Sequence, residues 1–147
     1  MEKKYTKDLI GWREWAELPD WNLINRLSIK AKIDTGARSC ALHAEEIETF
    51  DKKGYLHVRF RPPYPGEELG PVIEAPLIDI RKIRSSNGIE TERPVVRTHL
   101  KIGEHIFETD LTLINRDIMG FKMLIGRLAL RKFFYVDSAK SFLLGKK

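Results

Sequence analysis

The passage from Leu27 to Ala37 constrains this chain more than any other. Leu27, Ile29, Ala31 and Ile33 alternate with Ser28, Lys30, Lys32 and Asp34, which is the period of a half-buried β-strand. That strand runs straight into Asp34-Thr35-Gly36-Ala37. Asp supplies a carboxylate, Thr a hydroxyl that can lock a turn, and Gly a backbone that tolerates close approach. The passage therefore presents a carboxylate at a strand end, on a stiff loop. Two such carboxylates side by side share one proton and activate a water for attack on an amide. The chain holds a single Asp-Thr-Gly, so the pair requires a second copy of the chain.

Strand and turn signals recur along the rest of the sequence. Leu56, Val58 and Phe60 alternate with Tyr55, His57 and Arg59 after a Lys53-Gly54 turn. The proline-rich run from Arg61 to Gly66 reads as a loop, because Pro cannot donate to a strand ladder. Asn87-Gly88 marks a hairpin between the runs Leu77–Arg84 and Pro94–Leu100. Gly103-Glu104 is a further tight turn, leading into Ile106–Ile114. The one helical segment expected is Arg127–Phe133, and Tyr135–Asp137 with Ser141–Leu144 reads as a last hairpin. Many short strands separated by turns imply an all-β barrel or sandwich. At 147 residues the chain fits one domain. We place a flexible tail at residues 1–8 and the single domain at 9–147.

Apolar residues make up 42% and charged residues 32%, the balance of a soluble globular chain. No apolar run approaches the roughly 20 residues of a membrane span. The start of the chain lacks the apolar core of a secretion signal, and the single Cys40 cannot form an internal disulfide, so a cytoplasmic setting is expected. The net charge of +5 is scattered among acids rather than gathered in blocks. Aromatic and basic residues are not interleaved on adjacent strands as nucleic-acid binding requires, so no nucleic-acid partner is expected.

A second landmark lies near the C-terminal end, where Met123-Leu124-Ile125-Gly126-Arg127 places an apolar strand before Gly-Arg and a short helix. Together with Asp34-Thr35-Gly36-Ala37 it resembles the paired signature of retropepsins, single-domain aspartic peptidases that work as homodimers. The likeness sharpens across Gly11–Trp15, Ala31–Ala44, Arg84–Gly88 with Arg93–Val96, and Thr112–Asp117. Those strings resemble a microbial family of retropepsin-like proteins linked to RimK-type ATP-grasp glutamate ligases, often labelled "ATP-dependent zinc protease". The resemblance covers about Gly11 to Phe142.

The resemblance implies a closed acid-protease barrel with one short C-terminal helix. It implies an aspartic endopeptidase acting on a peptide or peptide-like amide, with Asp34 of each chain in a coupled catalytic dyad. Thr35 would interlock with its symmetry mate, Gly36 would accept hydrogen bonds from the substrate backbone, and Ala37 would complete the loop. Ser85, Ser86, Asn87 and Gly88 would form a flap over the substrate. Gly126 and Arg127 would be structural. A partnership with an ATP-grasp ligase follows from the same association. The alternative is a peptide-binding module on the same fold without turnover.

No metal or cofactor is expected. There is no His-Glu-x-x-His, and His43, His57, His99 and His105 fall on separate strands. Two residues depart from viral retropepsins. Lys32 shares a strand face with Asp34, and Arg38 stands where an acidic residue is common. With Lys30 and the basic chain overall, Arg38 points to an acidic or glutamate-rich substrate, unless these cations pair with Glu45 and Glu46.

Overall fold

The computed structural model describes residues 7–21, 28–64, 70–84, 88–116 and 120–145. Twelve strands and one helical turn make up these residues. In chain order they are β1 (Asp8–Ile10), β2 (Arg13–Glu17), a 3-10 turn at Pro19–Trp21, β3 (Ser28–Ile33), β4 (Cys40–His43), β5 (Glu45–Lys52), β6 (Tyr55–Arg61), β7 (Ile73–Pro76), β8 (Asp79–Arg84), β9 (Glu90–Ile102), β10 (His105–Ile114), β11 (Met123–Ile125), α1 (Arg127–Leu130) and β12 (Phe134–Val136). The class is all-β, as the sequence implied.

The main sheet runs β10-β4-β11-β3-β2-β9-β8, and β9 also pairs with β10. Six strands therefore form a hydrogen-bonded ring, and β8 extends it as the outer arm of the β8–β9 hairpin. Alternation fills the ring. Ile29, Ala31 and Ile33 of β3, Leu42 of β4, and Leu100 and Ile102 of β9 are buried. β11 has neighbours on both sides, β3 and β4, and all its residues are buried. An apolar Met-Leu-Ile run suits such a strand. A separate three-stranded sheet, β5-β6-β7, packs Val58, Phe60, Ile73 and Ala75 inward, and Trp21 meets Phe60 edge-on at 5.1 Å.

Several expectations change at element boundaries. β9 is one 13-residue strand that passes through Pro94 instead of starting there. Leu56, expected inside with Val58 and Phe60, is exposed, because β6 begins beyond the core. Asp8, assigned to the tail, opens β1 opposite Phe134. The helix stops at Leu130, where the chain turns so that Phe133 and Phe134 join His105 and Phe107 in an aromatic cluster.

The last hairpin does not form. β12 pairs in parallel with β1. The backbone after Lys140 is captured elsewhere: Phe142 N donates to Arg13 O at 2.9 Å, and Leu143 N donates to the Glu14 carboxylate at 2.9 Å. Glu14 is buried and also accepts from Gly11 N at 2.7 Å, so it ties both the turn just before β2 and the distant C-terminal segment to β2. A carboxylate removed from water needs such donors.

Candidate active site

Asp34 follows the last residue of β3. Its N–H donates to Ile125 O at 2.9 Å, which anchors the strand end to β11. Gly36 N donates to Asp34 Oδ1 at 2.9 Å, and Ala37 N to Asp34 O at 3.2 Å. The tight turn thus holds the carboxylate in one rotamer through its own backbone. Asp34 is half-buried, while Thr35 and Gly36 are exposed.

The second landmark packs against this turn. Arg127 Nη1 donates to Thr35 O at 3.1 Å and to Gly36 O at 3.0 Å. Arg127 N donates to Ala37 O at 2.8 Å, and Leu128 N to Arg38 O at 3.0 Å. The first turn of α1 leaves its N–H groups unpaired within the helix, and the Asp34 loop supplies the acceptors. Gly126 is required for this seat. A Cβ there would lie 2.5 Å from Ser39 O and 2.8 Å from Ala37 O, both rigid backbone atoms. The two sequence landmarks are one structural unit.

Arg38 is exposed and has no ion pair among the described residues. The acids that could have neutralised it are engaged elsewhere: Glu45 with His43 at 3.1 Å and Glu46 with Arg61 at 3.3 Å. Lys30 lies over the Phe121 ring, 5.3 Å from its centroid. The β8–β9 hairpin expected around Asn87-Gly88 is present, with Arg84 opposite Glu90 and Gly88 at φ +85°. Ser85, Ser86 and Asn87 lie outside the described residues. β8 reaches the loop after Asp34 through Arg81, whose Nη1 donates to the Ser39 hydroxyl.

One grouping had no signal in the sequence. A cavity of about 500 Å³ opens beside Ala37 and Ser39, and Arg81, Arg93 and Arg116 line it from β8, β9 and the bend after β10. Burial, followed by the charge of Arg116, lowers the pKa of Arg93. A second cavity, of about 680 Å³, shares Arg93 and Arg116 and runs on to Glu46 and Ile47.

The histidines are dispersed. His43 pairs with Glu45, His57 with Tyr55 O, His99 with Asp20, and His105 with Asp8. Among the described residues no three His, Cys, Asp or Glu side chains gather as a metal site. No helix among them is long and apolar enough to cross a membrane. The three tryptophans pack: Trp12 against Phe121, Trp15 on Phe142, and Trp21 on Phe60.

Comparison with known proteins agrees with the fold. The crystal structure of a Legionella pneumophila protein of unknown function superposes with a TM-score of 0.73 at 32% identity, covering 92% of this chain and 97% of that one. Two proteins named "Probable alpha-L-glutamate ligase" are similar in sequence. The one from Shewanella halifaxensis is 38% identical over 96% of this chain, and the one from Desulfotalea psychrophila is 36% identical over 99%. The chain spans about a third of each, 31% of their length. The model of the retropepsin-like aspartic endopeptidase RimB matches residues 9–147, and the chain belongs to this RimB-like family.

Proposed function

We propose that the protein is an aspartic endopeptidase whose catalytic pair is Asp34 from each of two chains. The observation that carries this reading is the rigid Asp34 turn, with its carboxylate oriented by Gly36 N–H and its carbonyls tied by Arg127. In the pair, one carboxylate is ionised and takes a proton from a bridging water. The other is protonated and donates to the substrate carbonyl oxygen. A two-fold axis beside Thr35 brings the two turns together. Exposure of Thr35, Gly36, Arg127 and Leu128 around Asp34 on the single chain supports a face that a second copy covers. The β8–β9 hairpin is the flap, closing over the substrate from the Arg81 side.

The proposed substrate is an acidic, glutamate-rich peptide. Arg38 supports this, since no acid among the described residues neutralises it. The names of the relatives support it too: a domain similar to this chain forms part of proteins named as glutamate ligases. A hydrolase next to a ligase would remove what the ligase adds, and a functional partnership with such a ligase is part of the proposal. A peptide-binding module without turnover remains the second reading. It is favoured by Lys32 and Arg38, which flank the Asp34 turn in the chain where viral retropepsins carry apolar and acidic residues.

The experiment is cleavage of glutamate-rich peptides by wild type and Asp34→Asn, with sedimentation of both. Turnover by wild type alone, from a dimer, supports the peptidase. Binding without turnover by both proteins supports the module.

A further inference from the structure

We propose that Arg81, Arg93 and Arg116 form a subsite that seats a substrate carboxylate beside the Asp34 loop. The inference rests on reading that loop as the reaction centre and adds which residues select the acidic side chain.

Four arginines outside the cavity find acids. Arg59 pairs with Glu48, Arg61 with Glu46, Arg84 with Glu90, and Arg97 with Asp110. The cavity beside Ala37 and Ser39 contains none of these pairs. Its described lining contains three guanidinium groups and no carboxylate. Arg81 is satisfied by a neutral hydroxyl, that of Ser39. Arg93 and Arg116 have no ion pair among the described residues, and each repels the other. Like charges held together, with Arg93 half-buried and Arg116 exposed at the mouth, cost stability that an anionic ligand restores. Guanidinium groups match a carboxylate in bidentate fashion, so arginine is the side chain suited to the task.

The surroundings favour a peptide over a free anion. The apolar walls, Ile83, Ile114 and Leu124, fit the methylenes of a glutamate side chain. Arg93 and Arg116 also line the second cavity, together with Ile47, Glu46 and Glu92, so the arginine cluster is the basic end of a longer groove along which a bound chain continues. Arg38 does not line either cavity. The structure therefore assigns selectivity to the cluster, and to Arg38 only a contribution through long-range charge.

The test is calorimetric titration of the full chain carrying Asp34→Asn, which binds without consuming the probe. The probes are a tetraglutamate peptide, a tetraglutamine peptide, free glutamate and a short single-stranded RNA. Tetraglutamate is expected to bind most tightly, and adding Arg93→Gln or Arg116→Gln is expected to weaken it about tenfold or more each. Arg38→Gln is expected to weaken it only about two- to threefold, an effect removed by salt. Arg116→Gln is expected to leave the melting temperature unchanged or raise it, because it relieves repulsion with Arg93. That readout separates a ligand site from a structural one. Equal binding of the glutamine peptide, unchanged affinity in Arg93→Gln and Arg116→Gln, no tetraglutamate binding, or tighter RNA binding would each overturn the subsite. Selective, cluster-dependent binding by a protein whose wild type never cleaves would instead retain the subsite and remove the peptidase.

Discussion

The guanidinium of Arg127 donates to the carbonyl oxygen of Gly36 at 3.0 Å, so the helix after the second landmark holds the loop of the first. The same nitrogen reaches Thr35 O, and no acid is involved. If Asp34 is catalytic as proposed, an arginine that aligns its turn acts on rate more than on folding. Arg127→Ala removes charge-assisted hydrogen bonds worth about 1.5–3 kcal/mol, so kcat/KM for peptide cleavage is expected to fall about 10- to 100-fold. Arg127→Lys is expected to recover little, since the lysine side chain ends about one bond short of the Nη1 position that reaches both carbonyls. Steady-state kinetics with a parallel melting curve checks both; a fall in melting temperature that tracks the loss of rate would make the residue merely structural.

Gly126→Ala is expected to destabilise the whole domain. The added methyl meets Ser39 O, Ser39 N and Ala37 O, all backbone, and none can move without pulling the Asp34 loop away from α1. Overpacking of this kind costs about 1–3 kcal/mol or more. Denaturant unfolding measures it, and a midpoint equal to that of wild type would show that the seat is looser than described.

Glu14→Ala is expected to release the C-terminal segment. Its carboxylate accepts from Gly11, Leu143 and Leu144, and removing it leaves those donors unpaired. Each buried unsatisfied group costs about 1–3 kcal/mol. Limited proteolysis is expected to cut between Lys140 and Lys147 in the variant before any cut in the ring strands. Resistance equal to wild type would contradict the clamp.

His99 and Asp20 set a pH dependence. The hydrogen bond that His99 donates to the Asp20 carboxylate raises His99 above its ordinary 6.5 and lowers Asp20 below 3.8. The raised histidine contributes stability fully below 6.5, and the contribution is lost as pH rises through its folded value. The lowered aspartate contributes fully above 3.8, and its contribution is lost as pH falls through its folded value. Between those limits both contribute. Wild type is therefore expected to exceed His99→Gln in melting temperature most between pH 3.8 and 6.5, with the gap narrowing as pH rises through the raised pKa of His99. A gap that widens toward alkaline pH would contradict the sign.

The elements that were legible in the sequence are those governed by local rules. The alternation from Ile29 to Ile33, the Gly54, Gly88 and Gly103 turns, and the all-β class follow from period, turn chemistry and glycine. The joining of Asp34 to Gly126-Arg127 came from resemblance, since nothing local links residues so far apart in the chain. The C-terminal strand partner was misread because Glu14, a polar residue inside a strand, gives no sign that it will be buried and capture Leu143. The arginine cluster was invisible for a related reason. Arg81, Arg93 and Arg116 each look like ordinary surface cations on a strand or turn, and only the ring closure of β9 with β10 and the β8 hairpin assembles them.

The central claim is that the catalytic pair is shared between two chains, and subunit mixing tests it most directly. Wild type and Asp34→Asn are unfolded together, refolded at a fixed total concentration, and assayed on a glutamate-rich peptide across mixing ratios. If both Asp34 carboxylates are needed, activity follows the square of the wild-type fraction, so an equal mixture retains about one quarter of full activity. A linear dependence, with about one half retained in the equal mixture, would mean that each chain works alone and would contradict the shared pair.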